Sequence, residues 1–186
     1  DEVEVVNYSA GTHKGLTAKV QVLNMDASVA WEKEATVDSN EDTTDKCIKL
    51  EFPENLSKVH FIKMTLTEDG KVVSDNFYHR SLEENNYQDL CQLAKVALQS
   101  ATTVDKNADG TWSAVSVIEN KTSTPALMIR LNVVDGKDDQ QILPVFYSDN
   151  YFSLLPGEKK EVRMSWRDED TRGNEGKVLI TGYNVE

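Results

Sequence analysis

Val145-Phe146-Tyr147-Ser148-Asp149-Asn150-Tyr151-Phe152-Ser153-Leu154-Leu155-Pro156-Gly157-Glu158 is the stretch on which the reading of this chain turns. Aromatic and leucine side chains surround one Asp149-Asn150 pair, and the run stops at Pro156-Gly157-Glu158. The order reads as a strand, a tight polar corner, an apolar anchor and a turn into the next strand, Glu161 to Trp166. Short polar side chains at such a corner hydrogen-bond nearby backbone groups. Asp149 is expected to do so, with Leu155 as the anchor beneath it. The stretch holds no catalytic constellation.

Strand signals continue on both sides. Leu16, Ala18, Val20 and Val22 alternate with Thr17, Lys19 and Gln21, the period-2 pattern of a half-buried strand. Residues 59–67 put His60, Ile62, Met64 and Leu66 on one face. Asp69-Gly70 then signals a hairpin, with Lys71 to Tyr78 returning. Cys47 to Phe52 is a further strand, ended by Pro53. Ser81-Leu82-Glu83-Glu84 has the spacing of a helix capping box. Tyr87, Leu90, Leu93 and Ala94 follow at near-helical spacing, so a short helix or apolar turn is expected in the connector.

The β pattern resumes at residues 95–103, turns at Asn107-Ala108-Asp109-Gly110 and returns over 111–119. Residues 126–134 alternate, with Leu127, Ile129, Leu131 and Val133 on one face. Residues 142–147, 161–166 and 177–185 complete the set. Short strands with turns every ~8–12 residues and scarcely any helix indicate sandwiches. A sandwich of the immunoglobulin type takes roughly 100 residues, and this chain has 186. The expected fold is all-β: two tandem immunoglobulin-like β-sandwich domains, residues 1–81 and 96–186, joined by a linker at 82–95. Gly70-Lys71-Val72-Val73 leading to Phe77-Tyr78, and Gly176-Lys177-Val178-Leu179 leading to Gly182-Tyr183, read as a faint repeat of the two.

Composition excludes some classes of function. A net charge of -12 repels phosphate backbones, so nucleic acid is not an expected partner. No apolar run approaches the ~20 residues of a membrane helix, so no membrane partner is expected. The chain opens in strand-like alternation at Asp1 with no signal peptide, and reads as a fragment of a longer protein. Cys47 and Cys91 are expected to be two free thiols rather than a bridge.

The opening stretch resembles one near the C-terminus of glycoside hydrolase family 2 enzymes of the β-mannosidase and exo-β-glucosaminidase type. There an aromatic-Ser-Asp-Asn-aromatic-Phe-x-Leu-x-Pro-Gly-Glu run lies in the last immunoglobulin-like domain. Asn76-Phe77-Tyr78-His79-Arg80-Ser81 resembles the Asn-aromatic-Tyr-Trp-x-Ser run that closes the preceding sandwich, with His79 in place of Trp. Tyr87-Gln88-Asp89-Leu90, then Leu93 and Val96, is similar to the family linker. Lys14-Gly15-Leu16-Thr17-Ala18-Lys19-Val20 is similar to an early strand.

The resemblance implies a non-catalytic accessory C-terminal region that braces the catalytic barrel of the same polypeptide. Retaining glycosidases use two carboxyl groups about 5–5.5 Å apart. In this family they belong to a (β/α)8 barrel, which takes ~250 residues. No residue here is therefore expected to be catalytic, to bind a cofactor or to ligate a metal. The fragment is not expected to be an enzyme, whereas the full-length protein is expected to be a retaining glycoside hydrolase. The resemblance also implies a periplasmic or extracellular location. The alternative is an independent carbohydrate-binding or cell-surface adhesion module with a glycan as partner. Such a module needs exposed aromatic rings, so the exposure of Trp31 and Trp112 discriminates.

Several features require weighing against plain structural roles. Asp105-Lys106-Asn107-Ala108-Asp109-Gly110 matches the first half of a calcium-binding EF-hand loop, but the twelfth position is Ser116 rather than Glu. A hairpin turn is the favoured reading, and a cation site is the other. His13, His60 and His79 have no metal-ligand spacing, and His60 reads as a core histidine. No nucleophile elbow marks a Ser-His-Asp hydrolase. Trp166 shares a strand face with Val162 and Met164, and Trp112 with Ala114 and Ile118, so both are expected inside. Trp31, beside Val29, is the most exposed candidate. Asn7-Tyr8-Ser9, Asn55-Leu56-Ser57 and Asn120-Lys121-Thr122 are formal N-glycosylation sequons.

Overall fold

The computed structural model describes residues 1–186, which divide into two compact units, Asp1–Gln92 and Leu93–Glu186. Both are built from strands. Helix is confined to single 3-10 turns at Gln88–Gln92 and Asp168–Thr171.

The first unit holds β1 (Glu2–Asn7), β2 (His13–Asn24), β3 (Val29–Ser39), β4 (Thr43–Lys49), β5 (Val59–Glu68) and β6 (Lys71–Ser81). One sheet runs β3-β2-β5-β6 and the other is the pair β1-β4, with every pairing antiparallel. The alternation of β2 buries Leu16, Ala18, Val20 and Val22. A register slip after Val22 then buries Leu23 as well. Asp69 and Gly70 both take positive φ, 49° and 76°, which suits the twist of the tight β5–β6 hairpin. Ala18, Val20, Ile48, Leu50 and Ile62 form the core, with Trp31, Met64 and Leu66 packed partly against it.

The second unit holds β7 (Gln99–Lys106), β8 (Thr111–Glu119), β9 (Ala126–Asp135), β10 (Phe146–Tyr147), β11 (Phe152–Leu154), β12 (Lys159–Arg167) and β13 (Gly176–Thr181). Its sheets are β10-β12-β8-β7 and β11-β9-β13. Ile118, Val162 and Trp166 from one sheet meet Ile129, Leu131 and Val133 from the other in one core. The two ends of the unit are tied together. Val96 bridges Val185 in parallel, and buried Asn184 donates to Ala94 and Pro125 carbonyls while accepting from Leu127 N–H.

Four details differ from the sequence reading. Ser81 ends β6 instead of capping a helix: its Oγ accepts the Glu83 N–H at 3.2 Å. Asn85, at φ 56°, breaks any helix there, and the 3-10 turn starts only at Gln88. The strand expected at 142–147 shrinks to β10, because Pro144 has no N–H for a ladder. β3 went unseen because Glu32, Lys33 and Glu34 hide its period. Cross-strand charge supports it instead, with Lys19 Nζ 3.0 Å from Glu32. The faint repeat joins unlike strands: both lie at sheet edges, but β6 pairs β5, one strand beyond β2, while β13 pairs the central β9 directly.

Candidate functional site

The corner at Ser148–Tyr151 carries the chain from one sheet to the other, since β10 pairs β12 and β11 pairs β9. Ser148 extends the β10 ladder: its N–H donates to the Arg163 carbonyl at 2.8 Å, and its Oγ accepts the Arg163 N–H at 2.9 Å. Asn150 does the same for β9. Its Oδ1 accepts the Leu131 N–H and its Nδ2 donates to the Leu131 carbonyl, both at 2.9 Å. The side-chain amide thus stands where a partner peptide group would be. Tyr151 follows at φ 59°, which completes the reversal. Asp149 accepts the Asn150 N–H at 2.7 Å and pairs with Lys160. Tyr147 points inward and its hydroxyl accepts the Val133 N–H at 3.1 Å; burial pushes the phenol pKa up.

Two assignments from the sequence change. The anchor is Leu154, 3% exposed, together with Phe152; Leu155 is only half-buried. Strand alternation explains this, because Phe152 and Leu154 share one face of β11. The main polar bracket is Asn150 rather than Asp149. Asn150→Ala is therefore expected to cost about 1–3 kcal/mol, the penalty for stranding buried backbone groups. Asp149→Ala should cost less, about 0–1 kcal/mol, because its side chain is 38% exposed at its pair with Lys160 and bonds only its own neighbour's N–H. Leu154→Ala should exceed Leu155→Ala and reach roughly 2–5 kcal/mol. Urea melts of the four variants check the order, and equal losses for Asp149 and Asn150 contradict it.

The tryptophans are packing groups. Trp112 and Trp166 sit opposite each other on β8 and β12, with ring centroids 6.4 Å apart and planes 3° from parallel. Trp112 Nε1 donates to Asp168 Oδ1 at 2.7 Å. Trp31 is half-buried against the core of the first unit. The large exposed rings are others, Tyr8 at 83%, Phe146 at 70% and Tyr151 at 63%.

One local device accounts for two sequons and the calcium-like turn. An Asn or Asp Oδ1 accepts both the N–H and the hydroxyl of the Ser or Thr two residues on. Asn7 does this with Ser9, Asp26 with Ser28, Asp109 with Thr111 and Asn120 with Thr122. Such turns are what these residues favour. Asn7 and Asn120 are buried, and their amides donate to carbonyls of neighbouring segments. Asn107 N–H donates to the Thr111 carbonyl at 2.8 Å, so residues 105–110 close a hairpin. In the third sequon, Ser57 accepts from Met25 N–H and donates to the Val59 carbonyl instead.

Sequence spacing missed one constellation. Ser9 Oγ lies 2.9 Å from His13 Nε2, and His13 Nδ1 lies 2.8 Å from Glu68 Oε1. That is the order of a hydrolytic triad. Its serine is engaged elsewhere, because the hydroxyl donates to the Asn7 Oδ1 at 2.7 Å. Thr122 makes the same bond in the second unit. The network reads as a tie between the loop after β1 and the β5–β6 hairpin. His60 is buried edge-on to Phe52, and His79 joins Phe61 and Phe77 in a ring cluster. Burial lowers both pKa values and so favours the neutral rings.

The carboxyl pKa values that the fold shifts are also pulled down, here by hydrogen bonds and neighbouring charge rather than by burial. Lys46 does this to Glu2, Lys19 to Glu32 and Lys106 to Asp168. Thr43 acts on Asp45, Thr111 on Asp109, and the Lys137 N–H on Asp135. A glycosidase acid requires the opposite, a carboxyl held protonated by a raised pKa.

Comparison with known proteins adds a frame. The family model described as exo-β-D-glucosaminidase Ig-fold domain matches residues 76–185. The one described as mannosidase Ig/CBM-like domain matches residues 2–81. The chain is similar to the exo-β-D-glucosaminidase of Streptomyces avermitilis, at 30% identity over 98% of the chain and 23% of that protein. The counterpart from Arthroderma benhamiae is 26% identical over 99% of the chain and 22% of its own length. Among solved structures, the exo-chitosanase of Amycolatopsis orientalis superposes with a TM-score of 0.91 at 26% identity, over 99% of this chain and 24% of that one. A β-D-mannosidase from Dictyoglomus thermophilum shares the fold, with a TM-score of 0.59 at 14% identity. The chain thus spans less than a quarter of the curated relatives it matches, and what it matches is their immunoglobulin-like part rather than a catalytic barrel.

Proposed function

Because this chain belongs to the exo-β-D-glucosaminidase Ig-fold domain family, we propose that it is the accessory C-terminal region of a family 2 glycoside hydrolase and braces that enzyme's barrel. The observation that carries this is that nearly the whole chain superposes on one immunoglobulin-like portion of a much longer exo-chitosanase. The complete enzyme would cleave a terminal β-linked amino sugar or mannose with retention, using two carboxyl groups of the barrel. None of the 186 residues here acts as acid, base or nucleophile. Periplasmic or extracellular residence goes with this reading. The engagement of Ser9 by Asn7 supports the absence of a nucleophile here.

The test compares this chain with the complete natural polypeptide on aryl β-D-glucosaminide and β-D-mannoside. The complete polypeptide is expected to hydrolyse one of them, and this chain neither. Turnover by this chain that a single Glu-to-Gln change within it abolishes overturns the reading. The independent carbohydrate-binding module retains one observation, the exposed Phe146 and Tyr151, with the Arg130 guanidinium 5.9 Å from the Tyr151 ring centre. Trp31 and Trp112 do not favour it, since neither ring stands free in solvent.

A further inference from the structure

The two units share five strands in the same chain order and pairing. β1, β2, β3, β4 and β5 correspond to β8, β9, β11, β12 and β13. β1 pairs β4 as β8 pairs β12, and β2 lies between β3 and β5 as β9 lies between β11 and β13. Two neighbours lack a counterpart in the first unit: β10, beside β12, and β7, beside β8. β8 has a second partner, the antiparallel β7, which precedes it through the turn at 107–110. β1 has a partner on one side only, while the sheet opposite continues to β6.

The outcome is an open trough along β1. Its floor is Ile62, Met64 and Leu66, with Tyr78 and Asn76 of β6 on the far side. Two connected hollows of about 450 and 220 Å³ share Val3 and Met64. Val6 and Tyr78, 48% and 49% exposed, remain uncovered at its edges. The backbone of β1 is aimed at this space. Asp1 and Asn7 carbonyls accept from Leu50 and Asp42 N–H on the β4 side. In an antiparallel strand the alternate residues face the other way. Glu2, Glu4 and Val6 therefore present their peptide groups to the open side.

We propose that an extended strand of the same polypeptide, lying N-terminal to β1, fills this trough and turns back into β1 as β7 turns into β8. It pairs antiparallel with Glu2, Glu4 and Val6 and sets apolar side chains at alternate positions over Ile62, Met64 and Leu66. This rests on the reading that the chain is part of a longer enzyme. A second copy of the chain is the poorer occupant. Pairing β1 with itself brings Glu4 beside Glu4, and like charges across a ladder destabilise it.

The test is amide hydrogen exchange on this chain and on the complete natural polypeptide. The amides of Glu2, Glu4 and Val6 are expected to exchange about tenfold or more slower in the complete polypeptide. Leu50 and Asp42, already bonded, should change far less. Replacing the ten or so residues before β1 by a Gly/Ser linker in the complete polypeptide should restore fast exchange, given strands of five to six residues. Equal rates in chain and polypeptide overturn the proposal. So does protection that survives the linker, or protection that grows with concentration in this chain alone. Glycosidase activity measured on the same samples separates the two readings. An active polypeptide with an unprotected β1 edge refutes the strand alone, and an inactive one with a protected edge refutes the enzyme alone.

Discussion

Trp166→Ala destabilises the second unit by roughly 3–5 kcal/mol, the usual cost of emptying a buried tryptophan site. Trp166 is 2% exposed at the end of β12, with Trp112 stacked on one face of its ring. Gly176 comes close to the indole: a Cβ there would lie 2.9 Å from Trp166 Cζ2 and 3.2 Å from Ile142 Cδ1. The φ of Gly176 is not in the left-handed region, so glycine serves here for space alone. Removing the indole leaves a gap that these backbone-bound neighbours cannot close. A domain with a total stability of about 5–15 kcal/mol does not absorb such a loss easily. Trp112→Ala should cost clearly less, because that ring is only partly buried and its main bond is to a surface carboxylate. Urea melts followed by far-UV circular dichroism read both variants. A Trp166→Ala chain that melts with the parent contradicts this picture of the core.

Asn120→Ala is the second large effect, at about 3 kcal/mol, since each buried partner left unmade costs roughly 1–3 kcal/mol. Asn120 is fully buried. Its Nδ2 donates to the Thr124 carbonyl at 2.8 Å and the Leu154 carbonyl at 3.0 Å. Its Oδ1 accepts from Thr122 N–H and Oγ1, and its own backbone bonds Glu158 and Gly157. One side chain thereby ties the loop after β8 to the end of β11 and to the Pro-Gly-Glu turn. Thr122→Ala removes only one of these bonds, along with the hydroxyl's weaker contacts to the Thr124 backbone, and should cost about 1–2 kcal/mol. The same burial predicts that Asn120 stays unmodified when the chain is secreted from a eukaryotic cell. Mass spectrometry checks this, and a glycan on a folded Asn120 contradicts it.

What the sequence revealed follows from how locally each feature is written. The alternation in β2 and β9 and the Asp-Gly turns are local signals, and they placed most strands. Trp166 could be placed inside because Val162 and Met164 share its face. A run of two leucines, Leu154-Leu155, does not say which one faces the core. Only the pairing of β11 with β9 decides for Leu154. Asn150 was overshadowed by Asp149 because its partner, Leu131, lies 19 residues away. The Ser9, His13 and Glu68 network was hidden for the same reason, since Glu68 is on a different strand. The sequons show the reverse. Their Asn-x-Ser/Thr spacing is a local signal for a turn that also happens to match a modification motif.

On the proposed function, the polar and aromatic groups of this chain build and brace the sandwiches and do not hold sugar. The most direct measurement is a titration of the chain with a glucosamine oligosaccharide, followed by amide chemical shifts. The account predicts no saturable shift at Phe146, Asn150 or Tyr151, and Asn150→Ala lowering stability alone. Saturable shifts clustered on those three residues, lost in Asn150→Ala while its melt matches the parent, would make the corner a recognition loop and contradict it.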